Sequence, residues 1–392
     1  MQWMVHLNRL GEEQRHVLDC CLRLNSGRLW IQGFAGSGKT VLLVHAIREA
    51  LTTNPNLSAC VVVYTHALKD LVSTGLPDHL RRVPVMTYHS FMNKPRHYDL
   101  LVVDEVQDLE REVLESLSKY ATRLIVAGDG DQSIYRRRVS PEEIDRILSP
   151  EKHKLQILYR LTQTLKQIVK TILPHSNIEA ARVDRMVANV EIRLAHATDL
   201  AGEIAWVWRE ASRYSRQGDP SAILLPDRKL IRRFIDGVCH AEGKVPPAYT
   251  EKAPSKYSNS ENDKIDYNLV NAHLKANGIS LRYLGSNYGR LTESDEQPIV
   301  YLMTYHSAKG LDYDAVFLPH LNSDMEFWRE NEDLSRRLFF VATTRSRRNL
   351  FMSYHAPEPH RYVKAMPQDL LKPMEIQIES APSGTNSDIF IF

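Results

Sequence analysis

The feature that constrains this sequence most is an eight-residue segment at positions 33–40, GFAGSGKT. It fits the pattern G-x-x-x-x-G-K-[ST], whose glycines allow successive backbone N–H groups to turn inward on a polyphosphate. A short apolar run at 29–32 precedes the segment, and a helical pattern at 41–50 follows it. This order places bound phosphates at a helix N-terminus, where the dipole and the free N–H groups favour anions. The sequence therefore predicts a nucleotide-binding loop between a buried strand and a helix.

Seven residues of this loop are candidates to bind the nucleotide. The lysine can reach the β- and γ-phosphates, and the threonine hydroxyl is a suitable ligand for Mg²⁺. The other positions offer backbone N–H groups and close approach to the phosphates. The candidates are Gly33, Ala35, Gly36, Ser37, Gly38, Lys39 and Thr40.

The composition is that of an ordinary globular protein, with 43% hydrophobic and 25% charged residues in a chain of 392. This length is sufficient for two or three compact domains. The net charge of +2 gives no global reason to expect nucleic-acid binding, which would depend on local patches such as the arginines at 136–138. The four cysteines show neither metal-ligand spacing nor a disulfide framework. Because a signal-peptide pattern and a membrane-spanning apolar run are both absent from the sequence, we expect a cytoplasmic protein with no membrane partner.

The order of apolar runs predicts two α/β domains with parallel sheets, joined near residue 150. Short apolar runs alternate with helical stretches on both sides of this break. The predicted strands are residues 29–32, 59–64, 100–103 and 124–127 before the break, and 222–225, 279–284, 298–304, 315–318 and 350–354 after it. We therefore expect a domain at 1–148, a domain at 149–372 and a tail at 373–392. A stretch at 243–267, rich in Pro, Ser, Asn, Lys and Tyr, is predicted to be an exposed insertion.

A second motif provides the acidic partner that a phosphate-binding loop requires. The apolar residues of LLVVDEVQD predict a buried strand. Asp104 then lies at the carboxyl end of this strand, where α/β sheets bind ligands. Asp104 is the candidate to hold Mg²⁺, and Glu105 is the candidate to orient and deprotonate the attacking water. A third strand ends in GDGDQSIY. Its Gln132 is a candidate sensor of the γ-phosphate, because an amide side chain both donates and accepts hydrogen bonds.

Together these motifs resemble the UvrD/Rep type of superfamily 1A helicase. The resemblance extends over positions 7–354 and includes seven motifs in the family's order. It implies two RecA-like P-loop NTPase domains with parallel sheets and an ATP site at their interface. It also implies an ATP hydrolase that uses ATP and Mg²⁺ and binds single-stranded DNA.

The resemblance assigns further residues to the nucleotide. By the match of LNRLGEEQ to the family's entry motif, Gln14 reads adenine. By the match of LYR, Tyr159 stacks on the base and Arg160 meets the γ-phosphate. Arg345, which ends RLFFVATTR, is a second arginine finger. Asp312 stands where the family usually has a glutamate that contacts the ribose or the phosphate-loop side.

The same resemblance identifies seven DNA-binding candidates. The motif VYTHA contributes an aromatic side chain that stacks on single-stranded DNA, and TYHS and MTYHSAKGLD contribute further contacts. The family also places an aromatic residue two positions after the tyrosine of GDGDQSIY. Here that residue is an arginine, whose guanidinium can stack or hold phosphate. The candidates are Tyr64, Thr65, His89, Tyr135, Arg137, Thr304 and His306.

The chain departs from the family at the two points where accessory domains are usually inserted. Only residues 91–99 separate TYHS from the Asp-Glu strand, and residues 286–297 lead directly into the next motif strand. The sequence therefore predicts a minimal form without either accessory domain. In the family these domains supply much of the duplex contact and of the strand-separating surface.

Three functions remain open at this point. The leading hypothesis is a single-stranded DNA translocase or helicase, 3′-to-5′ by family analogy, in which ATP draws the two domains together. An alternative is an ATPase motor or regulatory subunit of a nuclease, repair or anti-phage defence complex that does not unwind DNA alone. A third is an RNA-directed superfamily 1B helicase, although GDGDQSIY resembles the DNA-type branch.

Overall fold

The computed structural model describes residues 3–129, 139–184, 186–251, 265–285, 287–325 and 331–376. Within these residues two parallel β-sheets carry helices on their faces, as expected when short apolar strands alternate with amphipathic helices.

Six strands form the first sheet. They are β1 (Gly27–Gly33), β2 (Ala59–Val63), β3 (Val85–Thr87), β4 (Tyr98–Val103), β5 (Ala121–Gly128) and β6 (Glu151–Leu155). All neighbouring strands are parallel, in the spatial order β3-β2-β4-β5-β1-β6. The central strands are continuous apolar runs because helices cover both faces of the sheet. The carboxyl ends of β4, β5 and β1 therefore lie side by side at one edge, where ligands bind in such sheets.

The helices of this first part have the ranges α1 (Glu12–Arg23), α2 (Lys39–Thr53), α3 (His66–Gly75), α4 (Tyr88–Asn93), α5 (Arg111–Lys119) and α6 (Pro141–Leu148). Of these, α3, α4 and α6 begin after a side chain that accepts from a free backbone N–H group. The Thr65 hydroxyl accepts from the backbone N–H of Leu68 and caps α3. Ser140 forms a capping box with Glu143 ahead of Pro141, which fixes the start of α6.

The second half of the chain forms the larger sheet. A short parallel pair, β7 (Ile157–Leu158) and β8 (Arg182–Val183), precedes it. Its seven strands are β9 (Glu191–His196), β10 (Ser221–Leu225), β11 (Leu281–Tyr283), β12 (Val300–Thr304), β13 (Tyr313–Leu318), β14 (Ser346–Tyr354) and β15 (Leu371–Glu375). All are parallel, in the order β11-β12-β10-β13-β14-β9-β15. The helices are α7 (Gln163–Ile172), α8 (Leu200–Arg216), α9 (Arg228–Ala241), α10 (Tyr267–Ala276), α11 (Glu332–Thr343) and α12 (Arg361–Lys364).

We call the described residues up to 155 the N-terminal lobe and those from 157 onward the C-terminal lobe. One cluster of buried apolar side chains is continuous between the lobes and includes Ile47 and Leu68 on one side and Leu165 and Leu311 on the other. A second cluster lies inside the C-terminal lobe, where Trp206 packs beneath the sheet. Burial of this size is the main force that holds each sheet against its helices.

The predicted α/β fold with RecA-like parallel sheets is confirmed, and every strand predicted from an apolar run is present. The sequence reasoning missed β3, β6, β9 and β15, together with the short pair β7 and β8. The strands β6 and β15 lie at sheet edges and carry polar sequences, EKHKL and LKPME, so they lack the apolar signal of a central strand.

Three predicted boundaries differ from the structure. The first sheet continues through Leu155, beyond the boundary predicted at 148, because β6 pairs with β1. The strand β15 continues to Glu375, inside the predicted tail. The insertion predicted at 243–267 is mostly exposed over its described residues 243–251, but its predicted end at Tyr267 is buried and begins α10.

Candidate nucleotide site and nucleic-acid interface

The loop between β1 and α2 has the backbone that its glycines predict. Gly36 and Gly38 have φ angles of 79° and 88°, in the left-handed region that residues with a Cβ rarely adopt. The ammonium of Lys39, which is buried, donates to the carbonyls of Gly33 at 2.7 Å and Phe34 at 3.1 Å. The lysine thus lies across the concave side of the loop, where bound phosphate oxygens would replace these carbonyls as partners.

Thr40 and Asp104 meet although they are far apart in sequence. The Thr40 hydroxyl donates to Asp104 Oδ2 at 2.6 Å. Burial, together with the charge of Glu105, raises the pKa of the Asp104 carboxyl. A hydroxyl and a buried carboxylate are the hard oxygen ligands that Mg²⁺ prefers, and a cation there would offset the cost of the buried charge. The pair therefore fits the predicted metal ion.

Glu105 is held in an unusual conformation beside them. Its φ of 57° lies in the left-handed region, and the amide of Gln107 donates to its carboxylate. Burial raises its pKa, but the charges of Lys309 and Lys39 outweigh burial and leave the pKa lowered. The carboxylate is therefore ionised at neutral pH and can accept a proton. A strained residue of this kind is common at functional sites.

The C-terminal lobe touches the loop directly. The backbone N–H of Tyr159 donates to the Gly36 carbonyl at 2.9 Å. A Cβ on Gly36 would lie 2.9 Å from the Cβ of Arg160, so only glycine permits this approach. The Arg160 guanidinium lies 3.3 Å from the carboxylate of Asp312, with both side chains partly exposed. Asp312 thus holds the predicted arginine finger at the mouth of the site.

Arg345 is the most buried arginine of the site, with 1% of its surface exposed. Its guanidinium donates to the carbonyls of Val341 and Leu311 and to the Thr344 hydroxyl. No carboxylate forms an ion pair with it among the described residues. Burial and the nearby charge of Arg160 lower its pKa to about 9, so it remains charged at neutral pH. A buried cation with no carboxylate in direct contact favours the binding of an anion.

These side chains surround one cleft of about 270 Å³ between the lobes, which we call the nucleotide cleft. Eleven predicted site residues line it: Gln14, Ala35, Gly36, Gly38, Lys39, Thr40, Glu105, Tyr159, Arg160, Asp312 and Arg345. Gln14 also fixes the loop, since its amide donates to the Ser37 carbonyl at 3.0 Å. The roles of these residues toward a nucleotide remain predictions, but their convergence is observed.

Three predicted nucleotide or metal residues lie just outside this lining. Asp104 does not line the cleft itself, but it accepts a hydrogen bond from Thr40, which does. Gly33 lines a separate cavity of about 400 Å³ on the other side of the loop. Ser37 is fully buried, and its hydroxyl has no hydrogen-bond partner among the described residues.

The sequence reasoning missed an apolar part of the cleft lining. It includes Trp3, Val5, Leu10, Val41 and Leu71, and an apolar lining suits a flat base. Trp3 is held by its indole N–H, which donates to the Thr74 hydroxyl. Scattered apolar residues carry no motif, so no local signal could have identified them.

Lys309 was also missed as a site residue, although it belongs to the motif MTYHSAKGLD. Its ammonium lies 2.5 Å from Asp108 Oδ2 and 3.6 Å from Glu105 Oε2. Lys309 and Asp108 are both buried, and they come from different lobes. The pair therefore links the acidic motif of one lobe to a motif of the other. The lysine within a recognised motif was the signal that could have found it.

The aromatic DNA-binding candidates of the N-terminal lobe form a short stack. The rings of Tyr64 and Tyr88 lie 5.1 Å apart at 20°, and the rings of Tyr88 and His89 lie 3.9 Å apart. Tyr64 is partly exposed and His89 is exposed, so both are accessible at the carboxyl ends of β2 and β3. Thr65 lies beside them in the sequence and caps α3.

The C-terminal lobe repeats part of this arrangement. The sequence TYHS occurs at 87–90 and again at 304–307. In both copies the threonine and serine hydroxyls bond to each other, at 3.1 Å and 3.0 Å. Thr304 is buried, and His306 is partly exposed. Burial and the charges of Lys309 and Arg228 lower the pKa of His306 to about 4, so it is neutral at pH 7.

Three candidates cannot be placed. Gln132, Tyr135 and Arg137 lie outside the described residues, and their predicted roles stay predictions. Among the helices of the described residues, none is long and apolar enough to span a lipid bilayer.

Comparison with known families matches both lobes. An AAA domain model matches residues 21–138, which contain the phosphate loop and the Asp-Glu strand. A UvrD-like helicase C-terminal domain model matches residues 260–357, which contain Lys309 and Arg345. Both matches support a UvrD-like helicase of superfamily 1. The two matched segments contribute residues on opposite sides of the nucleotide cleft.

Individual relatives are similar over part of their length. A protein of Acanthamoeba polyphaga mimivirus, named as an ATP-dependent DNA helicase, is 23% identical over 64% of this chain and 34% of its own. The ATP-dependent DNA helicase PcrA of Staphylococcus epidermidis is 29% identical over 32% of this chain and 17% of its own. A DNA helicase II homologue of Mycoplasma pneumoniae is 39% identical over 14% of this chain and 9% of its own. The chain therefore matches about a third or less of the length of each relative.

Proposed function

We propose that this chain hydrolyses ATP in the nucleotide cleft and uses the energy to move along single-stranded DNA in the 3′-to-5′ direction. The observation that carries the proposal is that Lys39 and Glu105 of one lobe and Arg160 and Arg345 of the other line the same cleft. A triphosphate held there touches both lobes, so its cleavage changes the contacts between them.

Each residue has a definite task in this chemistry. Lys39 and the loop N–H groups bind the β- and γ-phosphates, and Thr40 and Asp104 hold Mg²⁺. When bound, Mg²⁺ neutralises charge on the phosphate oxygens. Glu105, whose carboxylate is ionised, orients a water molecule and accepts its proton.

The arginines of the C-terminal lobe stabilise charge that grows in the transition state. Arg160 can leave Asp312 for the γ-phosphate, since their contact at 3.3 Å is partly exposed and therefore weak. Arg345 is already buried and oriented by backbone carbonyls, so little reorganisation is required. Arginine fingers of this kind accelerate phosphoryl transfer by about 10³–10⁵-fold.

Both lobes also carry candidate contacts to DNA. Tyr64 and His89 belong to the N-terminal lobe, and Thr304 and His306 belong to the C-terminal lobe. If the lobes grip the strand in turn as the cleft opens and closes, cycles of ATP hydrolysis become movement along the strand. The 3′-to-5′ direction rests on the family resemblance.

The test measures ATP turnover with single-stranded DNA, duplex DNA and RNA as separate activators. We expect stimulation by single-stranded DNA, and loss of turnover in both Lys39→Ala and Glu105→Gln, with Lys152→Ala as an exposed control. Normal turnover in Glu105→Gln would contradict the role of Glu105. Stimulation by RNA but not by DNA would exclude the proposed substrate. Displacement of streptavidin from 3′- or 5′-biotinylated strands determines the direction.

The short connections between motifs favour a second candidate, a motor subunit that requires a partner to separate strands. In the structure α4 ends at Asn93, and β4 begins at Tyr98, so only a short turn lies where the family inserts an accessory domain. A monomer that unwinds forked DNA by itself would exclude this candidate.

A further inference from the structure

A cluster of potential metal ligands lies where helix α1 crosses the edge strand β6. His16 and Cys20 come from the helix, and His153 comes from the strand. The Cys20 sulfur lies 3.9 Å from His16 Nε2, and one ligand atom from each of the three residues lies within 4.8 Å of the others. No local motif pointed to this site, because His16 and His153 are 137 positions apart.

The fold brings these side chains together for simple geometric reasons. Glu13, His16 and Cys20 recur at helical spacing and share one face of α1. Glu151, His153 and Leu155 alternate onto one face of β6. Glu13 holds α1 against the end of β6, because its carboxylate accepts hydrogen bonds from the backbone N–H groups of Gln156 and Ile157 at 2.9 Å and 3.2 Å.

The chemistry of the donor set suits zinc. A thiolate and two imidazoles are ligands that Zn²⁺ binds at about 2.3 Å and 2.0–2.1 Å in tetrahedral sites. Those bond lengths require a sulfur-to-nitrogen separation of roughly 3.5 Å, close to the 3.9 Å between Cys20 and His16. His16 is exposed, which leaves the fourth position open to solvent.

Acidic groups surround the cluster and would favour a cation. The Glu151 carboxylate lies 2.8 Å from His153 Nε2. A carboxylate bonded to one imidazole nitrogen orients the ring, as outer carboxylates do at zinc-bound histidines. Burial, Glu151 and Asp19 raise the pKa of the Cys20 thiol, while Arg23 opposes them. A bound Zn²⁺ would reverse this effect and deprotonate the thiol.

We propose that His16, Cys20 and His153 bind one Zn²⁺ ion, with Glu151 as an outer partner of His153. The ion joins α1 to β6 on the surface of the N-terminal lobe. Gln14 of α1 lines the nucleotide cleft, and β6 ends shortly before Tyr159 and Arg160, which also line it. The proposal does not depend on ATP hydrolysis or on DNA binding.

The experiment titrates the full chain, free of any histidine tag, with Zn²⁺ in competition with a chromophoric chelator. We expect one equivalent of tightly bound Zn²⁺. Cys20→Ser and His153→Gln should each weaken binding at least tenfold, and Glu151→Gln should weaken it by about 10–100-fold. Substitution with Co²⁺ should give a thiolate-to-metal charge-transfer band that is absent in Cys20→Ser.

Two matched controls distinguish this site from general metal binding. Cys21→Ala removes the neighbouring thiol, which is buried in the core, and His79→Gln removes an exposed histidine of the same lobe. Both should leave the affinity for Zn²⁺ unchanged. Equal affinity in the parent chain and in the Cys20→Ser/His153→Gln double variant would overturn the proposal. A Co²⁺–thiolate band that persists in Cys20→Ser would also overturn it.

Discussion

The ammonium of Lys309 lies 2.5 Å from the carboxylate of Asp108, in a buried contact that joins the two lobes. Glu105 lies 3.6 Å from the same ammonium. One cation therefore compensates two buried carboxylates, and one of these is the proposed catalytic base. The contact couples the conformation of the C-terminal lobe to the electrostatics of the nucleotide cleft.

Replacement of this lysine should be strongly destabilising. Lys309→Met removes the ion-pair partner of the buried Asp108 and one of the two lysines whose charge acts on Glu105, and breaking a buried pair typically costs about 3–5 kcal/mol of unfolding free energy. Urea unfolding at pH 7 measures the loss. The control is Lys152→Met, which breaks an exposed pair with Asp145 and should cost at most about 1 kcal/mol. Equal losses in the two variants would show that the buried pair has no special role.

The arginine fingers should affect catalysis far more than binding. Arg160→Lys keeps the positive charge but loses the planar guanidinium group that can bind phosphate with two hydrogen bonds. We therefore expect kcat to fall by about 10³-fold or more. The affinity for a fluorescent ATP analogue should change much less, because the arginine acts mainly on transition-state charge. Arg213→Lys, an exposed substitution on α8, serves as the control. An unchanged kcat in Arg160→Lys would exclude the finger role.

The stack at Tyr64 should contribute to binding of single-stranded DNA. Tyr64→Ala removes a partly exposed ring and should weaken binding by about 1–3 kcal/mol, the usual contribution of a base stacked on an aromatic side chain. Tyr64→Phe keeps the ring and should bind normally. Fluorescence anisotropy with a labelled oligonucleotide at fixed salt measures both variants. If the phenylalanine variant loses as much affinity as the alanine variant, the hydroxyl and not the stack is important.

The pH dependence of stability should reflect His306. Its pKa is lowered to about 4 by burial, Lys309 and Arg228, whereas an unfolded histidine titrates near 6.5. The unfolded chain therefore binds the proton more readily, and the stabilisation is present above about pH 6.5 and lost as the pH falls toward 4.

Between pH 7.5 and pH 5 the parent chain should consequently lose about 1–2 kcal/mol more unfolding free energy than His306→Gln. Urea unfolding at the two pH values gives the comparison, and His79→Gln, which removes an exposed histidine, should behave like the parent. A His306→Gln variant with the same pH dependence as the parent would show that this histidine is not the responsible group.

Much of the nucleotide site could be predicted from short segments. The phosphate loop and the pair Asp104 and Glu105 follow strands that their apolar residues predict, and Arg160 and Arg345 belong to motifs that the family resemblance supplies. Eleven predicted site residues line one cleft. The phosphate loop and Glu105 come together there because parallel strands bring their carboxyl ends to one edge of the sheet.

Other features depend on contacts that no short segment contains. The polar edge strand β6 gave no apolar signal, so the first sheet extends beyond the predicted boundary. The apolar part of the cleft lining, which includes Trp3 and Leu71, combines residues from separate elements. The cluster of His16, Cys20 and His153 likewise exists only because α1 crosses β6.

The sequence by itself determined the local chemistry: a glycine loop that can hold phosphates, carboxylates at strand ends, and arginines in recognisable motifs. Their physical basis is short-range, since strand, turn and helix preferences act over a few residues. Only the tertiary structure decided which charged side chains meet. Lys309 forms an ion pair with Asp108, and Arg160 forms one with Asp312. Arg345 is buried and forms no ion pair among the described residues. These contacts join residues up to 201 positions apart, and they form only when burial of apolar surface brings the two lobes together.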